Sequence, residues 1–261
     1  MSSLAKKNYI VKGIVLHRRN FFETDRILTV FTRERGIISC IVKGARKSTS
    51  KLAGSSELFT YGNFYFTKGK NIDILTGCKA QIFFQKKPED LKKISEFFLL
   101  SEMIQKMMPH EVPNPELFDE MINTFKILEK KRVQGFADEF IYKALTILGY
   151  GLAFERCAKC SKIITQQGRI FLNFEVGGAL CNKCFTDRDR PVTENCYKLL
   201  KYISAHDVKK YSLIRVDGKF SRELSKTIQD YLNFTYQKEM NSAAFIRHVR
   251  ELQKHSGSSK I

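Results

Sequence analysis

Four cysteines limit how the second half of this chain can fold. Cys157 and Cys160 form one Cys-X-X-Cys pair, Cys181 and Cys184 form another, and 20 residues separate the two pairs. Two such pairs can bring four thiolates to one ion in tetrahedral geometry, so the spacing predicts a Zn²⁺ site. Thiolates would fill all four positions and leave none for water, which predicts a structural role for the metal. Two unrelated thiol pairs, or redox pairs, are the alternative.

The residues between the two pairs predict the local form of the site. Residues 168–174 are expected to form a short hairpin arm, and Gly177-Gly178 gives the backbone freedom for a turn before the second pair. The segment 157–186 is therefore predicted to be a zinc ribbon. The other three cysteines are expected to pack as small hydrophobic side chains. They are Cys40, Cys78 and Cys196.

Hydrophobic spacing changes once along the chain. The first 84 residues hold five short segments rich in β-branched and aromatic residues, separated by turn signals. From Pro88 onward, apolar residues recur at helical spacing. Five strands in so short a segment predict a small β-barrel, for which the OB-fold is the natural candidate. The predicted strands span residues 9–16, 26–32, 36–42, 58–67 and 72–84, and the predicted helices span residues 91–108, 117–128, 136–148, 193–205, 221–236 and 242–252.

These patterns predict an α+β fold. An N-terminal five-stranded OB-fold β-barrel is followed by a helical domain with an inserted four-cysteine zinc ribbon. The ribbon interrupts the helical region, so we expect its metal to hold it together. The predicted boundaries are 1–84 for the barrel, 85–156 and 187–252 for the two parts of the helical domain, 157–186 for the ribbon and 253–261 for a flexible tail.

The chain shows no membrane or secretory segment. No run of about 18 apolar residues occurs, which argues against a transmembrane helix. Residues 1–8 lack the apolar core of a secretory signal. We therefore expect a cytoplasmic location, where reducing conditions favour thiolates on metal over disulfides.

Net charge is the second strong signal, at +18 from 45 basic and 27 acidic side chains. Residues 1–80 hold 15 basic and 5 acidic side chains, residues 81–156 hold 11 and 12, and residues 157–261 hold 19 and 10. A polyanionic partner is the natural explanation, and nucleic acid is the first candidate. A generally basic proteome is the alternative, but a uniform bias would not leave the middle segment neutral.

Residues 43–51 form a basic loop between the third and fourth predicted strands. Their sequence, Lys-Gly-Ala-Arg-Lys-Ser-Thr-Ser-Lys, has four cations, three hydroxyls and no carboxylate, and lacks the order of a nucleotide-binding P-loop. Cations neutralise phosphates and hydroxyls add neutral contacts, so the loop predicts phosphate binding. A solvated loop is the alternative. With three arginines of the neighbouring strand and turn, the candidate nucleic-acid-binding residues are Arg26, Arg33, Arg35, Lys43, Arg46, Lys47 and Lys51.

Aromatic residues of the fourth predicted strand could stack on bases. Alternation places Phe64 and Phe66 on one face of the strand and Tyr65 on the other. Since one face must be core, most of these rings are expected to pack, and Tyr65 is the candidate for stacking.

The chain carries no recognisable catalytic constellation. Glu23 and Asp25 lie close together, but we expect a turn in which Asp25 caps the backbone and the acids pair with Arg26. The five histidines show no ligand spacing, and neither GxSxG nor HExxH occurs. No enzymatic activity is therefore predicted.

The segments 11–16, 23–32 and 42–54, with Lys-Gly-Ala-Arg at 43–46 as their most specific part, resemble the RecO family of bacterial DNA repair proteins. The order of barrel, helices, two Cys-X-X-Cys pairs and helices also matches, so the resemblance spans nearly the whole chain. The cysteines are not present in every member, but all four stand here.

The resemblance implies a non-enzymatic mediator of recombinational repair. Such a protein binds single- and double-stranded DNA, anneals complementary strands and, with RecR, helps to load RecA onto strands coated by single-stranded-DNA-binding protein. It implies a bacterial cytoplasmic protein that is nucleoid-associated when engaged, with no membrane partner and no small-molecule substrate. An OB-fold and zinc-ribbon protein of RNA or transcription machinery is the alternative, and a nuclease using Glu23 or Asp25 is a third hypothesis.

Overall fold

A computed structural model describes residues 8–84, 91–130, 136–164, 170–216 and 218–236. The chain divides into two compact units between Glu129 and Lys130, at the last residue of the second helix. The predicted helix over 242–252 and the predicted tail lie outside the described residues. The first unit contains β1 (Asn8–Phe21), β2 (Asp25–Thr32), β3 (Gly36–Val42), β4 (Thr60–Thr67), β5 (Asp73–Phe83), α1 (Leu91–Met107) and α2 (Pro115–Lys130). The second contains α3 (Phe136–Leu145), β6 (Ile170–Asn173), β7 (Gly178–Leu180), β8 (Arg190–Val192), α4 (Glu194–Ala205), α5 (Val208–Tyr211) and α6 (Gly218–Tyr236).

The first five strands close into a barrel in the order β1-β2-β3-β5-β4. Neighbouring strands are antiparallel except β3 and β5, which are parallel. The 14-residue β1 pairs with β4 through its first half and with β2 through its second half. A register shift between Val15 and His17 bends the strand between these two partners. The predicted five-stranded OB-fold barrel is confirmed.

Two glycines allow close approach at the bend of β1. Gly13 faces Gly62 across the β1–β4 pair. A Cβ atom on Gly13 would lie 2.8 Å from Val30 Cγ1, and one on Gly62 would lie 2.8 Å from Ala80 Cα. Side chains at either position would push neighbouring strands apart, so both glycines are required for closure.

The barrel core follows the predicted alternation along β4. Phe64 and Phe66 are fully buried inside the barrel, whereas Tyr65 is half-buried on the outer face. Tyr65 is paired with Gly77, and its ring covers the space that a side chain there would occupy. Cys40 is also buried in this core, and burial raises the pKa of its thiol to about 12, so it stays protonated.

An aromatic cluster packs α1 and α2 against the barrel. Phe59 precedes β4 with a φ of +59°, and its backbone N–H donates to the Val15 carbonyl at 2.8 Å. Its ring lies 5.6 Å from Phe97 of α1 and 5.9 Å from Phe125 of α2, between ring centroids. These contacts place both helices in the same compact unit as the barrel. The domain boundaries proposed from the sequence stay a prediction.

The second unit is built around α3, in which all ten residues are buried. The Asp138 carboxylate on this helix accepts hydrogen bonds from Ser225 Oγ and Gln229 Nε2 of α6. A π-helical turn, Thr146–Tyr150, follows α3, and Gly149 in it has a φ of +90°. The α-helix therefore ends at Leu145 instead of the predicted residue 148, because its last turn widens into this π-helical turn, and Gly149 then breaks the helical backbone.

Burial of Glu139 on α3 makes stability depend on pH. Its side chain lies in the core of the second unit, and this burial, reinforced by the nearby Asp138 charge, raises the pKa from 4.5 to about 8. Between those two pH values the folded protein binds more protons than the unfolded chain. Stability therefore falls as pH rises through this window.

We expect Glu139→Gln to remove this loss of stability at higher pH, since the amide stays neutral at every pH. The difference in melting temperature between the variant and the parent should grow in favour of the variant from about pH 5 to about pH 8. Thermal unfolding followed by circular dichroism measures it. Glu116→Gln, at an exposed position of α2, is the matched control. A constant difference across the pH range would contradict the assignment.

Candidate metal centre and nucleic-acid interface

The first cysteine pair forms a tight knuckle closed by backbone hydrogen bonds. Ser161 N–H donates to the Cys157 carbonyl at 2.8 Å, and Cys157 N–H donates to the Lys162 carbonyl at 2.8 Å. Ser161 takes a left-handed φ of +60°, which reverses the chain directly after Cys160. The knuckle thus turns both thiols toward the same side.

The second pair is placed by a short hairpin of β6 and β7. Gly177 has a φ of +67° at the turn, and Gly178 pairs with Asn173 across it, so the predicted glycine turn is confirmed. Residues 165–169, which include the start of the predicted arm, lie outside the described residues. Ala158 N–H donates to the Ala179 carbonyl at 2.9 Å and joins the two knuckles directly.

The four cysteine sulfurs converge. Their Sγ atoms all lie within 4.8 Å of one another, and Cys160 Sγ lies 3.7 Å from Cys181 Sγ. A tetrahedral zinc site with Zn–S bonds of about 2.3 Å has sulfur–sulfur edges of about 3.8 Å. The separation therefore fits one ion held by four thiolates, and the predicted ligands Cys157, Cys160, Cys181 and Cys184 are brought together as expected. Within the described part of the chain, no other cluster of three or more potential metal ligands is found.

The charges that thiolates would bring to the cluster would be stabilised by a bound cation. Burial raises the pKa of Cys157, but backbone N–H groups of Cys181, Cys160 and Lys159 outweigh it and lower the pKa overall. Contacts with the Cys160 and Cys181 sulfurs raise the pKa of Cys184. One thiolate thus forms readily, and further ones repel it unless a positive ion joins them.

Hydrogen bonds beyond the sulfurs hold the hairpin in place. The buried Asp189 carboxylate accepts from Asn173 Nδ2 at 2.5 Å and from Thr186 N–H at 2.6 Å, which ties β6 to the loop after the second knuckle. Arg190 on β8 donates to Thr227 and pairs with Asp230, both on α6. The cysteine cluster is thereby anchored to the helical core of its unit.

On the barrel, the three arginines of the predicted binding set have protein partners. Arg26 Nη1 donates to Ser56 Oγ at 2.7 Å and to Glu57 Oε1 at 2.9 Å, so its expected pairing with Glu23 and Asp25 is wrong. Arg33 makes a two-pronged ion pair with Asp119 of α2, at 3.0 and 2.9 Å. The Arg35 guanidinium lies 4.5 Å above the centre of the Tyr9 ring. These charges are partly offset or packed inside the first unit.

The other four members of the set lie on the 43–51 loop, and all four are exposed. Arg46 Nη1 donates to the Glu23 carbonyl at 2.9 Å and to the Phe22 carbonyl at 3.3 Å. Its backbone N–H donates to the Thr24 carbonyl at 2.9 Å. Arg46 therefore fixes the turn between β1 and β2. Three cations of the loop make no ion pair with any residue that the structure describes: Lys43, Lys47 and Lys51.

Asp25 binds backbone, as the turn interpretation predicts. Its Oδ1 atom accepts from Gly44 N–H at 2.7 Å and from Thr24 Oγ1 at 3.1 Å. Gly44 has a φ of +64°, which lets the loop bend back onto the β1–β2 turn. The turn and the 43–51 loop thus form one connected surface at this end of the barrel.

Sequence reasoning missed one residue of this surface, Phe22. It is 78% exposed at the tip of the β1–β2 turn. The available signal was a pair of phenylalanines inside a polar turn, Asn20-Phe21-Phe22-Glu23, where no core position is expected. The structure shows no comparable exposure for Tyr65, which is half-buried.

An OB-fold barrel with a basic loop, followed by a four-thiolate ribbon, defines a nucleic-acid-binding type of architecture. The family model "Recombination protein O N terminal" matches residues 6–97, and "Recombination protein O C terminal" matches residues 88–244. The chain belongs to the RecO family.

Curated relatives agree with this assignment. A "DNA repair protein RecO" of Pelotomaculum thermopropionicum is 27% identical over 257 residues, which is 98% of this chain and 100% of the relative. One of Caldicellulosiruptor saccharolyticus is 29% identical over 242 residues, covering 92% of this chain and 98% of the relative. Separately, none of the helices in the described ranges is both long enough and apolar enough to cross a membrane.

We expect Cys157→Ser or Cys181→Ser to reduce bound zinc from about one ion per chain to near zero, because a three-thiolate site binds more weakly. Structural zinc supplies of order 10 kcal/mol in small zinc domains, so the second unit should lose thermal stability. Elemental analysis of protein purified without chelator, and thermal unfolding, measure the two effects. Cys78→Ala, outside the cluster, should keep its metal. Metal-free parent protein would contradict the site.

Proposed function

We propose that this protein is a DNA-binding mediator of recombinational repair that anneals complementary strands. The observation that carries the proposal is the cationic loop of residues 43–51, whose lysines make no ion pair among the described residues, held against the β1–β2 turn of an OB-fold barrel in a chain of the RecO family. Relatives named for DNA repair support the same process.

The loop has the chemistry required for phosphate binding. Lys43, Lys47 and Lys51 are exposed, and no carboxylate of the described residues neutralises them. Exposed hydroxyls of Ser48 and Thr49 lie between them and add uncharged donors. Each phosphate that a lysine neutralises releases a condensed counterion, which favours binding at low salt.

The arginines of the predicted set serve this surface in different ways. Arg46 orients the turn and still presents positive charge, because it is exposed and bound only to carbonyl oxygens. We assign Arg26, Arg33 and Arg35 a supporting part, because each already contacts Glu57, Asp119 or Tyr9. Their charge adds to the local field more than to direct phosphate contact.

This arrangement supports the proposed annealing activity. Two complementary strands repel each other through their phosphates, and a cationic surface that binds both lowers this repulsion without reading either sequence. Contacts to the backbone alone leave base edges available for pairing.

We assign the four-cysteine cluster to structural Zn²⁺, which its donor set and sulfur spacing fit. The partners we propose are RecR, single-stranded-DNA-binding protein and, indirectly, RecA, all drawn from the family resemblance. We also propose a cytoplasmic, nucleoid-associated location. Family membership disfavours the alternative of an RNA or transcription protein. The nuclease hypothesis has no support at Glu23 and Asp25, because Asp25 is engaged with Gly44 and no acidic metal cluster is found in the described ranges.

We expect Lys43→Ala/Lys47→Ala to weaken binding to single-stranded DNA and to lower its salt dependence. The slope of log affinity against log salt should fall by about 0.7 for each phosphate that the variant no longer neutralises. Fluorescence anisotropy with a labelled oligonucleotide at several salt concentrations measures both quantities.

The matched control is Lys209→Ala/Lys210→Ala, which removes the same charge from exposed positions in the second unit. If both pairs lower the slope equally, binding depends on overall charge and the loop is not the site. If neither variant nor parent binds DNA, the proposed function itself is wrong.

Annealing should depend on the same lysines. We expect Lys43→Ala/Lys47→Ala to slow the pairing of complementary oligonucleotides in proportion to its loss of DNA binding. A fluorophore on one strand and a quencher on the other report the rate. Comparison with and without RecR and single-stranded-DNA-binding protein tests the proposed partners, and an annealing rate unaffected by the substitutions would exclude the loop from this activity.

A further inference from the structure

The exposed ring of Phe22 is not explained by packing. At 78%, it is the most exposed large hydrophobic side chain among the described residues. Its only described ring contact is with its neighbour Phe21, at 4.3 Å between centroids. Because the fold covers so little of this ring, its aromatic face is available to a ligand.

The backbone at Phe22 is held in an unfavourable conformation. Its φ is +46°, in the left-handed region that bulky residues rarely adopt. Arg46 maintains this conformation by donating to the carbonyls of Phe22 and Glu23, and Asp25 fixes the facing loop through Gly44. Strain of this kind is kept where surrounding contacts impose it, often at binding sites.

The surroundings of Phe22 indicate what the ring could bind. The turn that carries it is hydrogen-bonded to the 43–51 loop, whose exposed lysines have no ion-pair partner among the described residues. Cations beside an exposed aromatic ring are the combination by which OB-fold proteins hold single strands, because the cations bind the phosphates and the ring stacks on a base.

We propose that Phe22 stacks on an unpaired base of single-stranded DNA and favours single strands over duplex at this surface. The inference rests on the proposed function, because the lysines of the same surface would hold the strand. In a duplex each base already stacks on its neighbours, so the ring has no free face to contact unless a base pair opens.

Tyr65, the aromatic candidate suggested by the sequence, has a different environment. Its ring lies over Gly77 of the neighbouring strand and fills the space of the absent side chain. That contact gives Tyr65 a packing role on the outer face of the barrel. Phe22 has no such partner across a strand in the described chain.

Binding to matched oligonucleotides tests the proposal. We expect Phe22→Ala to weaken binding to oligo(dT) by about ten-fold or more, with duplex binding and the salt slope unchanged. Phe22→Tyr should retain the affinity and Phe22→Leu should not, because stacking needs an aromatic face. Ile10→Ala, which removes another exposed apolar side chain from β1, is the control and should have no effect.

An abasic strand isolates the ring from the phosphates. It keeps the backbone charge but offers no base. The parent protein should therefore bind the abasic strand more weakly than oligo(dT), whereas Phe22→Ala should bind the two strands with similar affinity. Equal losses for parent and variant on the abasic strand would overturn the stacking contact.

Tryptophan fluorescence gives a direct readout, because the chain contains no tryptophan. Emission from Phe22→Trp should be quenched on addition of oligo(dT) but not of the abasic strand, and emission from Ile10→Trp should change with neither. Absence of quenching while salt-dependent DNA binding persists would reject the proposal and leave the proposed function intact.

A stability measurement separates stacking from a structural role. Phe22→Gly suits the left-handed backbone, so its melting temperature should equal or exceed that of the parent. A large fall in melting temperature would make the ring a packing element. A change in oligomeric state without loss of oligo(dT) binding would assign Phe22 to contact between copies of this chain instead.

Discussion

The first unit depends on a single strand that hydrogen-bonds on both sides of the barrel. β1 pairs with β4 and then with β2, and it can do so only because a bulge after Val15 bends it and the facing Gly13 and Gly62 permit close approach. Closure leaves no unpaired edge along this strand. It also brings the β1–β2 turn to the end of the barrel where the 43–51 loop begins.

The turn and loop show how charge can be organised without regular structure. The Asp25 carboxylate accepts from the Gly44 backbone N–H and makes no ion pair with a lysine of the loop among the described residues. Arg46 donates to the carbonyls of Phe22 and Glu23 and adds its own positive charge to the surface. The result is a surface whose shape is fixed by polar contacts and whose cations remain available. In the second unit the four cysteines pose the opposite problem, because thiolates whose sulfurs lie within 4.8 Å of one another would repel unless a cation joined them.

Much of the fold could be predicted, because the relevant signals are local. The change from alternating to helical spacing marked the barrel and the helices after it. Among the described residues the ends of these elements differed, and the short β8 and α5 were not predicted. β1 continues to Phe21 instead of stopping at the predicted residue 16, because a bulge carries the pairing past the point where the apolar pattern ends. The cysteine spacing predicted their convergence, since a Cys-X-X-Cys turn needs only its own residues to aim two thiols.

The sequence by itself determined the barrel, the helical region and the four-cysteine cluster, because periodicity and short spacing act between near neighbours. Only the tertiary structure decided which cations are available to a ligand. Arg26 pairs with Glu57, 31 residues away, and Arg33 pairs with Asp119, 86 residues away. The lysines of residues 43–51 have no acidic partner in the described chain. It likewise decided that Tyr65 covers a glycine while Phe22 faces solvent, since exposure depends on what other strands and loops bring to each ring.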